Sequence, residues 1–273
     1  GFLATLLLIA WEAQGKTRED CEKVFQPQTG QSGKDVIWVP TDDALVRKML
    51  ELAKVTKHDK VYDLGAGDGK IAIMAGKEFG ARAVGIEYNP DMVRLGQCLA
   101  EVAGVTDRVT IRQGDIFESD FSDATVITLY LLPDLNLRLR PTLLDMKPGT
   151  RVVSHSFTMA EWEPDAQVSS DSGHAYLWII PAKVAGEWTF QPRDGKGDAP
   201  SFTVKLEQTF QQLSGSAGSA QLSDAKIEGP RIEFNFPGEA GLTRVAGTVE
   251  GDRIEAKVTH NGRTTAYTAR RTT

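Results

Sequence analysis

Cysteine is nearly absent: the 273 residues contain two, Cys21 and Cys98. Two thiols make neither a four-ligand zinc site nor the disulfide framework of a small secreted domain. Cys98 falls in an expected helix and reads as a small buried hydrophobe. Cys21 lies in a polar arm, where no base can be assigned to it. Excess positive charge is also missing. Lys+Arg 31 against Asp+Glu 37 leaves a net charge of −6, and a nucleic-acid binder needs a basic face to neutralise phosphates, so no nucleic-acid partner is expected. The apolar run Phe2–Trp11 is half the ~20 residues that span a bilayer. It has the length of a signal-peptide core but no basic segment before it. Two readings stay open, an export or membrane-anchor remnant and a helix packed on the body or on a partner chain. None of His58, His155, His174 and His260 has a partner at metal-ligand spacing, so no metal is expected.

What is present is ordinary globular composition, 41% hydrophobic and 25% charged. The length suits one large domain or two ordinary ones. Residues 14–40 read as an irregular connecting arm, and Thr41-Asp42-Asp43 as a helix start. A strand–helix alternation follows. Strands are expected at Lys60–Leu64, Ala83–Glu87, Arg108–Arg112, Thr125–Leu131 and Thr150–Ser154, and helices at Lys70–Phe79, Pro90–Val102 and Leu135–Met146. Gln167–Ser170 and Tyr176–Ile180 read as a closing hairpin. Repeated strand–helix units mean an α/β fold, a parallel sheet with helices on both faces.

After Pro181 the helical period is gone. Phe202, Val204 and Leu206 alternate with polar residues, as do Ile232, Phe234 and Phe236, and Gly251-Asp252 and Asn261-Gly262 suit tight hairpins. About eight short strands are expected there, as a small antiparallel β-barrel or half-barrel. Trp188, Phe190, Phe210 and Tyr267 either fill its core or line a small cavity. The division expected is an apolar segment and arm over 1–35, an α/β domain over 36–183 and a β domain over 184–273.

The strongest local signal is Asp63-Leu64-Gly65-Ala66-Gly67-Asp68-Gly69, ending the first strand and opening a helix. Lys70 stands where a dinucleotide fingerprint needs its third glycine, which disfavours a nicotinamide oxidoreductase. The P-loop pattern fails as well, at Leu64 and Ile71. Glu87, beside Tyr88, ends the second strand, and Asp115, beside Ile116, ends the third. Three acids at successive strand ends lie on the edge where α/β sheets bind ligands.

Together these motifs resemble those of class I S-adenosylmethionine (SAM)-dependent methyltransferases, over about residues 36–181. The resemblance implies a Rossmann-like seven-stranded sheet, SAM as cofactor and S-adenosylhomocysteine (SAH) as product. It puts Asp63, Gly65, Ala66, Gly67, Asp68 and Gly69 in the cofactor loop, Glu87 and Tyr88 at the ribose, and Asp115 and Ile116 at the adenine. Trp38-Val39-Pro40-Thr41 and Thr128-Leu129-Tyr130-Leu131-Leu132-Pro133 are similar to a narrower group that includes the mitochondrial ATP-synthase c-subunit lysine methyltransferase. That places Pro40 and Thr41 over the methionine end. Tyr130, which is also a candidate cofactor contact, and Asp134 at the fourth strand's end, together with His155 after the fifth, are the candidate catalytic residues, with His155 able to take a proton near neutral pH. The acceptor is expected to be a protein lysine or a small-molecule N, S or O nucleophile; a SAM-binding sensor or scaffold is the alternative. SAM is a cytosolic metabolite, which points to the cytoplasm, whereas the apolar run allows export or membrane attachment.

Overall fold

The computed structural model describes residues 15–35, 37–193, 199–238 and 241–272. The run Phe2–Trp11 lies outside them. Helix α1 spans Arg18–Val24 and α2 spans Asp43–Leu52. The alternation then runs β1 Lys60–Leu64, α3 Lys70–Phe79, β2 Arg82–Glu87, α4 Pro90–Val102, β3 Val109–Gln113, β4 Val126–Leu129, α5 Pro133–Leu144 and β5 Arg151–His155. Strands β6 Ala166–Ser170 and β7 Gly173–Ile179 finish it. The seven strands form one sheet in the order β3-β2-β1-β4-β5-β7-β6, parallel from β3 to β5, with β7 antiparallel to β5 and β6. This is the Rossmann-like sheet the motifs imply. The strand order turns around at β1, which opens a crevice at the carboxyl ends of its neighbours.

Local chemistry sets these boundaries. β4 is buried along its whole length, as a parallel strand covered on both faces must be. Asn89 caps α4 by accepting from the Asp91 and Met92 N–H groups, and Pro90 supplies a pre-set φ in the first turn. Helix α3 stops at Gly80, which takes the left-handed conformation at φ 68°. α5 begins at Pro133, two residues before the apolar period suggests, because proline is tolerated in a first turn.

Two expectations about the arm need correction. It is not irregular throughout: Thr17 and Asp20 form a capping box that starts α1. Nor are the cysteines separate thiols. Cys21 of α1 is fully buried and disulfide-bonded to Cys98 of α4, with a Cα–Cα distance of 5.6 Å across a sequence separation of 77. Only the docking of α1 on α4, around Leu95, Leu99 and Phe25, brings the pair together.

The second sheet follows Pro181–Ala185. Its strands are β8 Gly186–Pro192, β9 Phe202–Thr209, β10 Gln212–Ala217, β11 Ala220–Gln221, β12 Ser223–Glu228, β13 Arg231–Gly238, β14 Gly241–Glu250, β15 Arg253–His260 and β16 Arg263–Arg271. All pair antiparallel, and the β9–β10 pairing closes eight of them into a barrel, with the two-residue β11 appended to β10. Aromatic side chains fill the interior. Trp188 and Phe190 are fully buried, Phe190 and Phe202 stack at 4.8 Å, and Tyr267 donates its hydroxyl to Pro200 O at 3.0 Å.

Phe210 is not among these core residues. It sits at the β9–β10 turn with φ 53° and stacks on Trp162 of the first unit at 5.6 Å, with the Arg140 guanidinium 5.5 Å from its ring. Gln211 Nε2 donates to Glu163 O at 2.6 Å beside it. A second contact joins Gly229 and Pro230 to Gly149, just before β5. The barrel therefore touches the first unit at two places, the Trp162–Glu163 segment and the start of β5, the latter being the end of that strand remote from His155.

Candidate active site

The carboxyl ends of β1 to β4, with a strap of the arm laid over them, enclose a cleft of about 330 Å³. Twelve of the thirteen expected cofactor residues line it: Pro40, Thr41, Asp63, Gly65, Ala66, Gly67, Asp68, Glu87, Tyr88, Asp115, Ile116 and Tyr130. Gly69 does not. A Cβ there would meet Ile111 at 2.8 Å, so it faces the helix–sheet packing. Sequence reading missed the strap residues Gln31–Asp35, Ile37 and Trp38, and also Phe157, all of which line the cleft. Trp38 belongs to the segment that resembles the narrower group, which was its one available signal.

The glycine loop is shaped by backbone conformation. Gly65 and Gly67 have φ of 80° and 56°, a region that costs an L-residue energy. The Gly65 and Ala66 N–H groups both donate to Ile86 O at 2.9 Å, tying the loop to β2. Glu87 completes the tie. Its Oε2 accepts from Gly67 N at 2.8 Å and its Oε1 from Asn89 N at 2.8 Å. The carboxylate is thus fixed before any ligand arrives.

Charge in the cleft is mostly negative. Asp63 is buried and accepts from Thr128 Oγ1 at 2.8 Å. Burial pushes its carboxyl up to about 7; the Thr128 bond opposes this, while the Asp68 and Glu87 charges add to it. Burial also raises Asp68. Asp115 is held below the usual carboxylate range, first by the Lys34 ammonium and then by the Phe117 N–H at 2.9 Å. Lys34 also lies 4.9 Å from the Tyr88 ring centroid. A buried acid that ionises reluctantly is stabilised by a neighbouring cation. SAM carries a sulfonium and an ammonium, two ribose hydroxyls and an adenine amine, and this donor set and glycine cradle fit them.

Beyond β4 the cleft becomes apolar, walled by Pro40, Tyr130, Leu131, Leu132, Leu135 and Phe157. The Tyr130 and Phe157 ring centroids are 6.2 Å apart. Asn136, fully buried, holds the Phe157 loop by donating from Nδ2 to Phe157 O at 3.4 Å and Thr158 O at 3.3 Å. His155 does not line the cleft. It is buried behind Tyr130, stacked on that ring at 3.8 Å, with its Nδ1 3.0 Å from Thr41 Oγ1. Burial lowers its pKa to about 4, so it carries no proton near neutrality, contrary to the expectation that it titrates there. Because its folded pKa lies below the unfolded one, its contribution to stability is lost as pH falls from about 6.5 towards about 4. Asp134 is exposed in the first turn of α5 and does not line the cleft either.

These positions predict how the acceptor end responds to substitution. Tyr130→Ala should raise the acceptor KM with SAM affinity little changed, and Tyr130→Phe should be near wild type, because the ring shapes the wall. His155→Asn should lower turnover through the lost stack while leaving the shape of the pH–rate profile unchanged. A profile that flattens between about pH 6 and 8 in His155→Asn would restore the histidine as a base.

The family of the ANTKMT methyltransferase domain matches residues 63–166. A protein-lysine N-methyltransferase of Saccharolobus islandicus (strain REY15A) is 46% identical over 151 residues, which is 53% of this chain and 94% of that relative. The chain belongs to this methyltransferase family. An ATP-synthase c-subunit lysine N-methyltransferase of Mus musculus is 29% identical over 194 residues, 70% of this chain and 74% of its own length. Among solved structures, an RNA methyltransferase from Salinibacter ruber in complex with SAH is 52% identical and superposes with a TM-score of 0.53. That match covers 54% of this chain and 96% of the other. The protein is a SAM-dependent methyltransferase, and SAM is its cofactor. As a methyltransferase it has modest chemical needs. SAM supplies an activated methyl group on a good leaving group, so the protein's task is binding, alignment and exclusion of water. Glu87, Asp115 and the glycine loop line the part of the cleft whose chemistry suits the cofactor, and Tyr130, Phe157 and Leu132 wall its apolar end.

Proposed function

We propose that the methyl acceptor is the ε-amine of a protein lysine. The observation that carries this reading is the apolar, aromatic end of the cleft. Tyr130, Phe157, Leu132 and Pro40 offer walls suited to an aliphatic stem, and such walls disfavour an ammonium over the free amine. Loss of the proton to solvent before transfer then requires no side-chain base, in keeping with a neutral, shielded His155. The names of the Saccharolobus and mouse relatives support the same acceptor.

RNA is the second reading, favoured by the Salinibacter relative, which is described as an RNA methyltransferase. Against it stands the cleft itself, where five acids, Asp35, Asp63, Asp68, Glu87 and Asp115, face Lys34 and Lys70. Incubation with methyl-labelled SAM and a cell extract, followed by protease or ribonuclease treatment, separates the two. Label recovered as methyllysine after acid hydrolysis supports the proposal. Label released by ribonuclease overturns it.

A further inference from the structure

Lys70 enters the sequence argument only as the residue that breaks a dinucleotide fingerprint. In the fold it is the first residue of α3, lines the cleft and keeps a side chain 29% exposed. Its Nζ donates to Thr41 O at 3.0 Å and pairs with Asp43 Oδ1 at 2.8 Å. An ammonium has three donors, so one remains for a ligand. The Asp43 side chain is itself 68% exposed, so water screens its hold on Lys70 and leaves the ammonium free to serve a second anion.

The strand order says which part of the cofactor Lys70 meets. Asp115 follows β3, Glu87 ends β2 and the glycine loop follows β1, and these strands are neighbours in that order. With Asp115 at the adenine and Glu87 at the ribose, as the family resemblance implies, this strand order puts the amino-acid end of the cofactor at β1. That end of SAM is a zwitterion. Asp63 and Asp68 suit its ammonium, but its carboxylate would be repelled by them unless a cation stood close. Among the described residues lining the cleft, the cations are Lys34 and Lys70. Lys34 is held at the opposite end by Asp115 and Tyr88.

We propose that Lys70, steered by Thr41 O and Asp43, is the cation that binds the methionine carboxylate of SAM and SAH. It is a binding residue. The α3 N-terminus adds a favourable field but no recognition of its own.

The test compares ligands that differ in the carboxylate. Titration calorimetry with SAH, SAM and 5′-methylthioadenosine, which has the adenine and ribose but no amino acid, is run on the full chain and on Lys70→Met and Lys70→Arg. Lys70→Met should weaken SAH and SAM by about tenfold or more and leave 5′-methylthioadenosine within about twofold of wild type. Lys70→Arg should recover most of the loss, since it keeps the charge. Retained 5′-methylthioadenosine binding shows that the variant is folded and that the adenosine site stands, so the wider cofactor assignment is tested separately. Equal weakening of all three ligands would make Lys70 a structural strut and overturn the proposal. So would unchanged SAH binding in Lys70→Met.

Discussion

Glu87→Ala should weaken SAM and SAH alike, by about 1.5–3 kcal/mol, the range for hydrogen bonds to a charged acceptor. Both ligands share the ribose, so a loss confined to SAM would mean that Glu87 senses the sulfonium instead. The structure adds a second reason for a large effect. Glu87 is also the internal partner of Gly67 N and Asn89 N, so its removal leaves two loop donors unpaired at the edge of the cleft. Glu87→Gln keeps one acceptor oxygen and should fall between wild type and alanine. Calorimetry with both ligands reads the outcome, and full affinity in Glu87→Ala would remove this residue from the site.

Gly67→Val should lower SAM affinity at least tenfold, about 1.4 kcal/mol, with the sheet intact by circular dichroism. The cause differs from a simple intrusion into ligand space. A Cβ at Gly67 would lie 2.7 Å from Trp38 Nε1, so the new side chain drives the strap outwards. The φ of 56° adds about 1–2 kcal/mol for any L-residue and more for a β-branched one. Gly67→Ala should show a smaller loss of the same kind. Unchanged binding in a folded valine variant would mean that neither loop nor strap meets the cofactor.

How far these features could be read beforehand depended on whether their signals were local. α3 and α4 stand where the sequence put them because Gly80 and Pro90 act on their own neighbours. The three strand-end acids were legible for the same reason. Depth was not. The alternation Phe202, Val204, Leu206 continues by parity to Phe210, yet β9 ends at Thr209 and the chain turns, so that ring leaves the barrel's row. His155 sits on the correct edge, but Tyr130, just past the neighbouring strand β4, covers it, and nothing in its own segment records that cover. The Cys21–Cys98 bond depends on tertiary docking across 77 positions, beyond any local pattern.

Closure of the barrel has a consequence for recruitment. An open sheet offers a rim of unpaired N–H and C=O groups on which an extended peptide can be captured as one more strand. Here the β9–β10 pairing uses up the two strands that would have formed those rims. The β10–β12 seam, paired at Gln212–Lys226, and the two-residue β11 leave little backbone edge, so a macromolecule engaged by this part of the chain is held chiefly by side chains on its outer wall or by its turns, and its affinity should respond to surface charge substitutions. Scrambled-sequence peptides chosen only for β propensity should not compete for it.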